Sequence, residues 1–230
     1  MKICGTWVIV CLMSVVIPIH ATGTGDLPVI EIPASDAKRD LFAIILSGDG
    51  GWVEIDKEIA GMLADEGISV VGFNSLRYFW KRRTPEEASA DLDGIITRYG
   101  AEWKKTRVVV IGYSMGADVL PFIANRLPDT TIKRIDLFVF LGLSSAVDFQ
   151  FHPSDWFGGS PATTARPVLP EIEKMKGRPM LYIYGKEEAD NISASIDHKA
   201  VKVITFNGGH HFGGNYRMIT DTILTELKNR

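Results

Sequence analysis

The chain has 230 residues, a formal net charge of −3 at pH 7, and apolar and charged fractions of 46% and 23%. This length suits one domain with a sizeable core, and the composition is that of a globular protein rather than a disordered or fibrous one. The only dense basic cluster, residues 81–83, is followed by Glu86 and Glu87. Because nucleic-acid binding needs many Lys and Arg contacts to phosphates, no direct nucleic-acid binding is predicted.

The N-terminus has the layout of a secretory signal. Lys2 precedes a short apolar stretch, and small residues with Ala21 follow at a plausible cleavage point. We therefore predict a signal peptide over residues 1–21 and a single domain over residues 24–230. The alternative, a retained membrane anchor, is disfavoured by Pro18 and by an apolar stretch shorter than the roughly 20 residues that span a bilayer.

Both cysteines, Cys4 and Cys11, lie within this predicted signal peptide. The processed chain would then carry no thiol, and so no disulfide, thiolate metal site or cysteine nucleophile. Export without disulfides fits a bacterial periplasm, where disulfides are optional.

Strand-like and helix-like segments alternate along the rest of the chain. The predicted strands are residues 41–47, 69–73, 107–113, 135–143, 179–184 and 201–206, and the predicted helices are residues 56–66, 84–99, 115–127 and 216–228. The strands are apolar on both faces, which predicts an α/β protein with a mostly parallel sheet and helices on each side. Ligands bind such sheets at the carboxyl ends of the strands, so the loops there are the candidate functional segments.

The pentapeptide Gly-Tyr-Ser-Met-Gly at residues 112–116 joins the most continuous apolar strand to a helix. In a nucleophile elbow, small residues are needed on both sides of a serine because the turn is tight. Gly112 and Gly116 meet that need, which makes Ser114 a candidate nucleophile and the Met115 amide a candidate oxyanion donor at a helix N-terminus. A serine that only caps the helix is the alternative, but it leaves the paired glycines unexplained.

A serine nucleophile needs a base, and the loop after the last predicted strand contains His210 and His211. We favour His210, directly after two glycines, with His211 as the alternative base or a support for the loop. Adjacent histidines do not readily chelate one ion and no third ligand stands near them, so the sequence predicts no metal and no cofactor.

The acid that orients the histidine is expected after the strand at residues 179–184. Glu188 lies three residues after Gly185, a common position for this acid, and Asp190 is nearly as well placed. Both remain candidates, and at least one carboxylate of this loop is expected to be solvated.

The loop after the first predicted strand, "GDGGW", is expected to supply the second oxyanion amide, from Gly50 or Asp49. The Asp49 carboxylate is an unusual neighbour for a developing anion, so it is a candidate receptor for a cationic group on the substrate, or only a turn former. Trp52 is a candidate wall of the site.

Two further segments supply candidate substrate contacts. Arg77 and Tyr78, in "LRYFW", are predicted to form part of a basic, aromatic rim. Asp118 lies one helical turn after Ser114 and is expected to contact the site or to cap it from behind.

The motifs "GDGGW", "NSLRYFW", "GYSMGADVLPF" and "GGHHF" together resemble the VirJ/AcvB family of bacterial virulence proteins, over essentially the whole processed chain. The resemblance implies a single-domain α/β-hydrolase fold without a large lid, with Ser114 and His210 or His211 at the family's motif positions. It also implies an exported periplasmic protein that supports DNA transfer through type IV secretion. In AcvB-type relatives it implies hydrolysis of aminoacyl-phosphatidylglycerol, which releases lysine from the lipid.

Two functions are therefore expected as alternatives. The first is a serine ester hydrolase with an aminoacylated phospholipid as substrate. The second is a non-catalytic periplasmic adaptor whose partners are type IV secretion components and secreted protein substrates. Fold alone does not separate them, because one scaffold serves many functions.

Overall fold

The structure is a computed structural model that describes residues 27–153 and 163–230. The predicted signal peptide at residues 1–21 and the predicted start of the domain at residue 24 lie outside the described residues.

Strands and helices alternate through the described chain. In order, they are β1 (Val29–Ile32), β2 (Leu41–Leu46), α1 (Glu54–Asp65), β3 (Ser69–Phe73), α2 (Ser75–Tyr78), α3 (Pro85–Glu102), β4 (Arg107–Tyr113), α4 (Met115–Ala124), α5 (Asp129–Ile132), β5 (Ile135–Leu141), β6 (Ala146–Val147), β7 (Arg166–Pro167), α6 (Leu169–Lys174), β8 (Met180–Gly185), β9 (Lys202–Phe206) and α7 (Tyr216–Lys228). Short 3₁₀ turns occur at Ser193–Ser195 and Phe212–Gly214.

Seven of the described strands form one sheet in the order β1-β3-β2-β4-β5-β8-β9. Only β1 is antiparallel to its neighbour; the other pairs are parallel. Strand β3 pairs with one side of β2, and the next strand along the chain, β4, pairs with the other side of β2. The direction in which strands are added to the sheet therefore reverses between β2 and β4. At such a reversal, the loops leaving the two strands diverge and open a crevice at their carboxyl ends.

Helices cover both faces of the sheet, as predicted. Side chains of α3 and α4, including Ile95 and Leu120, pack in the core on one face. Side chains of α1 and α7, including Ile59 and Ile223, pack on the other face. Between β5 and β8, the described residues add only the paired strands β6 and β7 and the short helix α6, and none of these forms a separate lid domain.

The predicted strands and helices are all present, with small differences at their ends. Helix α1 begins at Glu54 rather than Asp56, because the Asp56 carboxylate accepts a hydrogen bond of 3.0 Å from the Val53 amide and caps the helix from its third position. Strand β5 ends at Leu141 rather than at residue 143, because Gly142 takes a φ of +67° and leaves the strand conformation. The sequence analysis missed β1, α2, α5, α6 and the β6–β7 pair, all of them short elements.

None of the helices in the described ranges is long and apolar enough to cross a membrane.

Candidate active site

Ser114 lies at the bend between β4 and α4, with a φ of 53° and a ψ of −124°. A non-glycine residue rarely adopts positive φ, and the cost is met here by the surrounding structure. The Ser114 amide donates to the Leu141 carbonyl at 2.9 Å, and its carbonyl accepts from the Asp118 amide at 3.0 Å. These bonds hold the serine backbone at both ends of the turn, and its hydroxyl makes no capping bond to the helix.

The two glycines of the pentapeptide allow the turn to pack against its neighbours. A Cβ on Gly112 would lie 2.5 Å from the Gly116 carbonyl oxygen, and a Cβ on Gly116 would lie 2.2 Å from the carbonyl oxygen of Leu46. Both distances are far below van der Waals contact with backbone atoms that cannot move aside. The requirement for glycine therefore comes from β2 and α4 packing closely around the bend.

Gly116→Ala is expected to destabilise the protein by about 3 kcal/mol or more, because its methyl group would collide with the end of β2. Gly61→Ala in α1 is the matched control, since a Cβ there would meet no atom within 4 Å and alanine favours a helix by about 1 kcal/mol. Urea unfolding would measure both effects. A Gly116→Ala protein as stable as the parent would show that the turn is looser than described.

His210 pairs with Glu188. The His210 Nδ1 atom is in hydrogen-bond contact with Glu188 Oε1, and the Glu188 side chain is only 8% exposed. Glu188 is itself held by the backbone of Gly185, whose carbonyl accepts from the Glu188 amide at 3.0 Å. Loops after β8 and β9, which are neighbours in the sheet, thus bring together an acid and an imidazole that are 22 residues apart.

This pairing sets the electrostatics of the imidazole. The hydrogen bond to the Glu188 carboxylate raises the pKa of His210 above its ordinary value of 6.5, although burial of the ring opposes the rise. A carboxylate that accepts from Nδ1–H also selects the tautomer in which Nε2 is left as the basic nitrogen.

Gly142 is required for the approach of this pair. A Cβ on Gly142 would lie 2.8 Å from His210 Cε1 and 3.0 Å from Glu188 Oε1. The residue after β5 therefore has to be glycine both for its positive φ and for the space that the histidine and its acid occupy.

His210 and Ser114 line the same cavity, which we call the histidine cavity. It has a volume of about 510 Å³, and its other lining residues are Gly48, Asp49, Gly50, Val53, Glu54, Ile55, Tyr113, His211 and Tyr216. The alternative base, His211, is exposed and its Nδ1 lies 2.9 Å from the Tyr113 hydroxyl. The geometry thus pairs His210 with an acid and His211 with a tyrosine.

Of the two candidate acids, only Glu188 is paired with His210. Asp190 is exposed and lies beside a second cavity with Ser114, and within residues 27–153 and 163–230 no hydrogen bond joins it to His210.

The candidate oxyanion donors flank Ser114. Met115 is the first residue of α4, so its amide has no acceptor within the helix. On the other side, a Cβ on Gly48 would lie 3.1 Å from Ser114 Cβ, which shows how closely the loop after β2 passes the serine. Asp49 and Gly50 follow at the rim of the histidine cavity. Their amides stay candidates for the second donor.

A second cavity of about 420 Å³ also contains Ser114 in its wall, and we call it the acidic cavity. Four carboxylates line it, from Asp49, Asp118, Asp148 and Asp190, and no lysine or arginine is among its described lining residues. Ser114 therefore lies where a histidine-lined space meets a space of negative charge.

Asp118 is the most buried of these carboxylates. It accepts hydrogen bonds from the Ser144 amide at 2.8 Å and the Ser144 hydroxyl at 2.5 Å. Burial raises its pKa to about 7, even though the bonds from Ser144 favour the charged form. Asp118 therefore both faces the acidic cavity and holds the loop after β5.

Asp148 and His152 also line the acidic cavity, and the sequence analysis did not propose either as a site residue. Burial opposes the ionisation of Asp148, but hydrogen bonds with Arg82 and His152 hold its pKa at about 2. Their position in the loop after β5, at the carboxyl edge of the sheet, is the sequence feature that could have identified them as site residues.

Three predicted substrate contacts lie apart from Ser114. Trp52 packs on β3, where a Cβ on Gly72 would lie 2.5 Å from Trp52 Cη2. Tyr78 is buried and its hydroxyl donates to Asp91 at 2.5 Å, while Arg77 is exposed. In the described part of the chain, none of the three lines either cavity that contains Ser114.

No group of three or more His, Cys, Asp or Glu side chains in the described ranges is placed to hold a metal ion.

Comparison with known proteins gives the family. A family model described as the bacterial virulence protein VirJ matches residues 40–230. The chain belongs to the VirJ family. No curated protein matches this VirJ-family chain.

Solved structures similar to this VirJ-family protein show its fold. A Pyrococcus furiosus esterase is 16% identical, with 89% of this chain and 90% of that chain covered and a TM-score of 0.62. MenH from S. aureus is 13% identical, with coverages of 87% and 98% and a TM-score of 0.63. Est1E from Butyrivibrio proteoclasticus is 15% identical, with coverages of 87% and 93% and a TM-score of 0.59. The predicted single-domain α/β-hydrolase fold is confirmed.

Proposed function

We propose that this VirJ-family protein is a serine ester hydrolase with Ser114 as nucleophile, His210 as base and Glu188 as the orienting acid. The observation that carries the proposal is that His210, which is paired with Glu188, lines the same cavity as a strained, glycine-flanked Ser114. Esterases among the structures of the same fold are consistent with this chemistry, although the fold by itself leaves function open.

The proposed reaction assigns one step to each of these groups. His210 Nε2 takes the proton of the Ser114 hydroxyl as its oxygen attacks the ester carbonyl. The amides of Met115 and of Gly50 or Asp49 hold the oxyanion, and the helix N-terminus adds to their effect. The bond to the leaving alcohol breaks as His210 returns the proton to it. Water then attacks the acyl-serine by the same proton transfers and releases the acid.

For the substrate, we propose an aminoacyl ester of phosphatidylglycerol. The acidic cavity supports this choice, because its carboxylates would attract the ammonium group of an amino acid whose ester carbonyl lies at Ser114. The resemblance to AcvB-type relatives gives the same substrate class. The products would be a free amino acid and phosphatidylglycerol.

We further propose that the protein acts in the periplasm after removal of residues 1–21, and that its lipid chemistry supports DNA transfer through type IV secretion. The family's description as a virulence protein supports this role. Secretion components and secreted proteins are proposed partners on the same basis.

The test of the proposed function is hydrolysis of purified lysyl-phosphatidylglycerol by the purified protein. We expect lysine and phosphatidylglycerol in equal amounts. We also expect much slower cleavage of a control lipid in which a fatty acyl group replaces the lysyl group on the headgroup hydroxyl. No release of lysine would refute the substrate. A second test measures DNA transfer. If the Ser114→Ala protein supports DNA transfer to the same extent as the parent, the adaptor role is favoured and catalysis is incidental to transfer.

The pH dependence of kcat/KM is expected to report His210. The base must be neutral, and its pKa is raised, so activity should rise with pH through a midpoint above 6.5 and then level off. Replacing Glu188 by glutamine removes the anion that raises the pKa, so the residual activity should show a lower midpoint. Asp190→Asn should leave the midpoint in place. A midpoint that is the same in Glu188→Gln and in the parent would show that the Glu188 carboxylate does not raise the pKa of the catalytic base.

A further inference from the structure

The segment after β3 contains an exposed surface that the proposed catalytic chemistry does not use. It surrounds a groove of about 540 Å³, which is lined by the exposed Arg77, Trp80 and Lys81, the half-buried Leu76 and Arg83, and the buried Tyr78. We call it the Trp80 surface. Trp80 is 58% exposed, and in the described residues only one other large apolar side chain, Met218, is comparably exposed. Trp80 lines this groove together with Leu76 and Tyr78, and an apolar patch on a protein surface can mark an interaction site.

Those surroundings are positively charged. Residues 76–83 contain four basic side chains and no acidic one, although the whole chain has a net charge of −3. Arg82 is paired with Asp148, and the Arg83 guanidinium lies 4.7 Å from the centre of the Tyr78 ring. Arg77 and Lys81 form no ion pair within the described residues, so their charges are available to a partner.

The Trp80 surface contacts the wall of the candidate active site. Trp80 stacks on Phe151 with 5.7 Å between ring centres, and Phe151 lines the acidic cavity. Two backbone hydrogen bonds connect the same segments: Phe151 donates to Phe79 at 2.8 Å, and Arg83 donates to Phe149 at 2.9 Å. A partner bound at Trp80 would therefore lie directly outside the wall of the cavity that contains Ser114.

From this arrangement we infer that the Trp80 surface docks the protein on the surface of an anionic phospholipid bilayer. Tryptophan is favoured at the boundary between lipid headgroups and acyl chains, where its ring is buried and its N–H remains wet. Each lysine or arginine near an anionic bilayer strengthens binding by roughly fivefold. The exposed ring and the cations of Arg77 and Lys81, which form no ion pair with the residues that the structure describes, match these two requirements on one surface. A protein with an overall negative charge would then approach the bilayer in one orientation, with its active-site edge facing the lipid.

The inference concerns the lipid surface on which the proposed function would operate, but its test needs no catalysis. The Ser114→Ala protein, purified after expression of the full chain, would be mixed with vesicles of phosphatidylglycerol and phosphatidylcholine, or of phosphatidylcholine alone. Co-sedimentation measures the partition coefficient. We expect binding to the anionic vesicles that weakens at high salt, and much weaker binding to the neutral ones.

Single substitutions locate the contact. In the Ser114→Ala background, Lys81→Glu should lower the partition coefficient on the order of tenfold, and Trp80→Ala should lower it several-fold. The matched controls are Lys133→Glu and Met218→Ala, which change an exposed lysine and the other exposed large apolar residue. Lys133 lies just before β5, at the edge of the sheet opposite to Ser114. Both controls should bind like the parent.

Several outcomes would overturn the inference: equal binding to neutral vesicles, equal losses in test and control variants, or no loss in Lys81→Glu and Trp80→Ala. A concentration-dependent dimer that Trp80→Ala abolishes, without vesicle binding, would assign the surface to a second copy of the chain. Hydrolysis of a water-soluble lysine ester by a Trp80→Ala protein with Ser114 intact tests the docking proposal independently of the proposed catalysis. Its retention would show that a loss of docking leaves the chemistry intact, whereas no ester hydrolysis by the parent would count against the proposed function alone.

Discussion

Ser114→Ala is expected to lower kcat for ester hydrolysis by about 10⁶-fold, because the variant has no oxygen to attack the carbonyl and only binding and oxyanion stabilisation remain. The fold should persist, since the Ser114 hydroxyl makes no capping bond and the backbone bonds to Leu141 and Asp118 do not involve its side chain. Single-turnover kinetics with a chromogenic ester and a thermal unfolding curve would measure the two properties.

Ser145→Ala is the matched control for this substitution. Ser145 is exposed, lies in the loop after β5 at the same edge of the sheet, and does not line either cavity that contains Ser114. Its kcat should stay within about twofold of the parent. A Ser114→Ala protein that keeps a tenth or more of the parent's activity would exclude Ser114 as the nucleophile.

Glu188→Gln is expected to lower kcat by about 10⁴-fold with little change in KM, as is typical when the acid of a serine triad is replaced by its amide. The amide keeps the size of the side chain, but it carries no charge to stabilise the imidazolium. It can also present its NH₂ group to His210 Nδ1, which selects the wrong tautomer.

Asp190→Asn distinguishes the two acids that the sequence left open. Because Asp190 is exposed and is not bonded to His210, its replacement should change kcat by no more than a few-fold, although KM for a cationic ester should rise through the loss of one charge from the acidic cavity. Steady-state kinetics on lysine and neutral esters would separate these effects. If Asp190→Asn were the inactive variant and Glu188→Gln the active one, the assignment of the acid would be reversed.

The carboxylates of the acidic cavity are not equivalent in the charge that they offer to a substrate cation. Burial raises the pKa of Asp118 to about 7, whereas hydrogen bonds with Arg82 and His152 outweigh burial at Asp148 and lower its pKa. The charge available to a substrate cation therefore depends on which carboxylates are already paired. Asp49, half-buried between the two cavities, is the carboxylate shared by both.

Much of the fold could be predicted from the chain because its signals are local. Apolar runs such as residues 107–113 form strands buried on both faces, and Thr84, Pro85 and Glu87 mark the start of α3 through a capping box that the structure contains. Short elements such as β1 and α6 were missed, because their few residues carry too little periodicity and are stabilised by their neighbours.

The sequence predicted some residues near Ser114 correctly but misplaced others, because the direction of a loop side chain depends on tertiary contacts. Trp52 and Tyr78 were assigned to the substrate by their proximity to motifs in the sequence, but each is an aromatic side chain that packs elsewhere: Trp52 on Gly72, and Tyr78 against Phe73. Conversely, Asp148 and His152 reach the acidic cavity from a loop with no recognisable motif. Proximity in sequence does not determine which side of a loop faces a cavity.

The sequence by itself determined the α/β class, the position of the bend at Ser114 and the need for glycine around it, because strand and helix propensity and a tight turn are properties of a few consecutive residues. Only the tertiary structure decided that Glu188 rather than Asp190 meets His210, and that the same serine borders a space of negative charge. Those contacts depend on the parallel order of β4, β5, β8 and β9, which brings together loops that are distant in the chain.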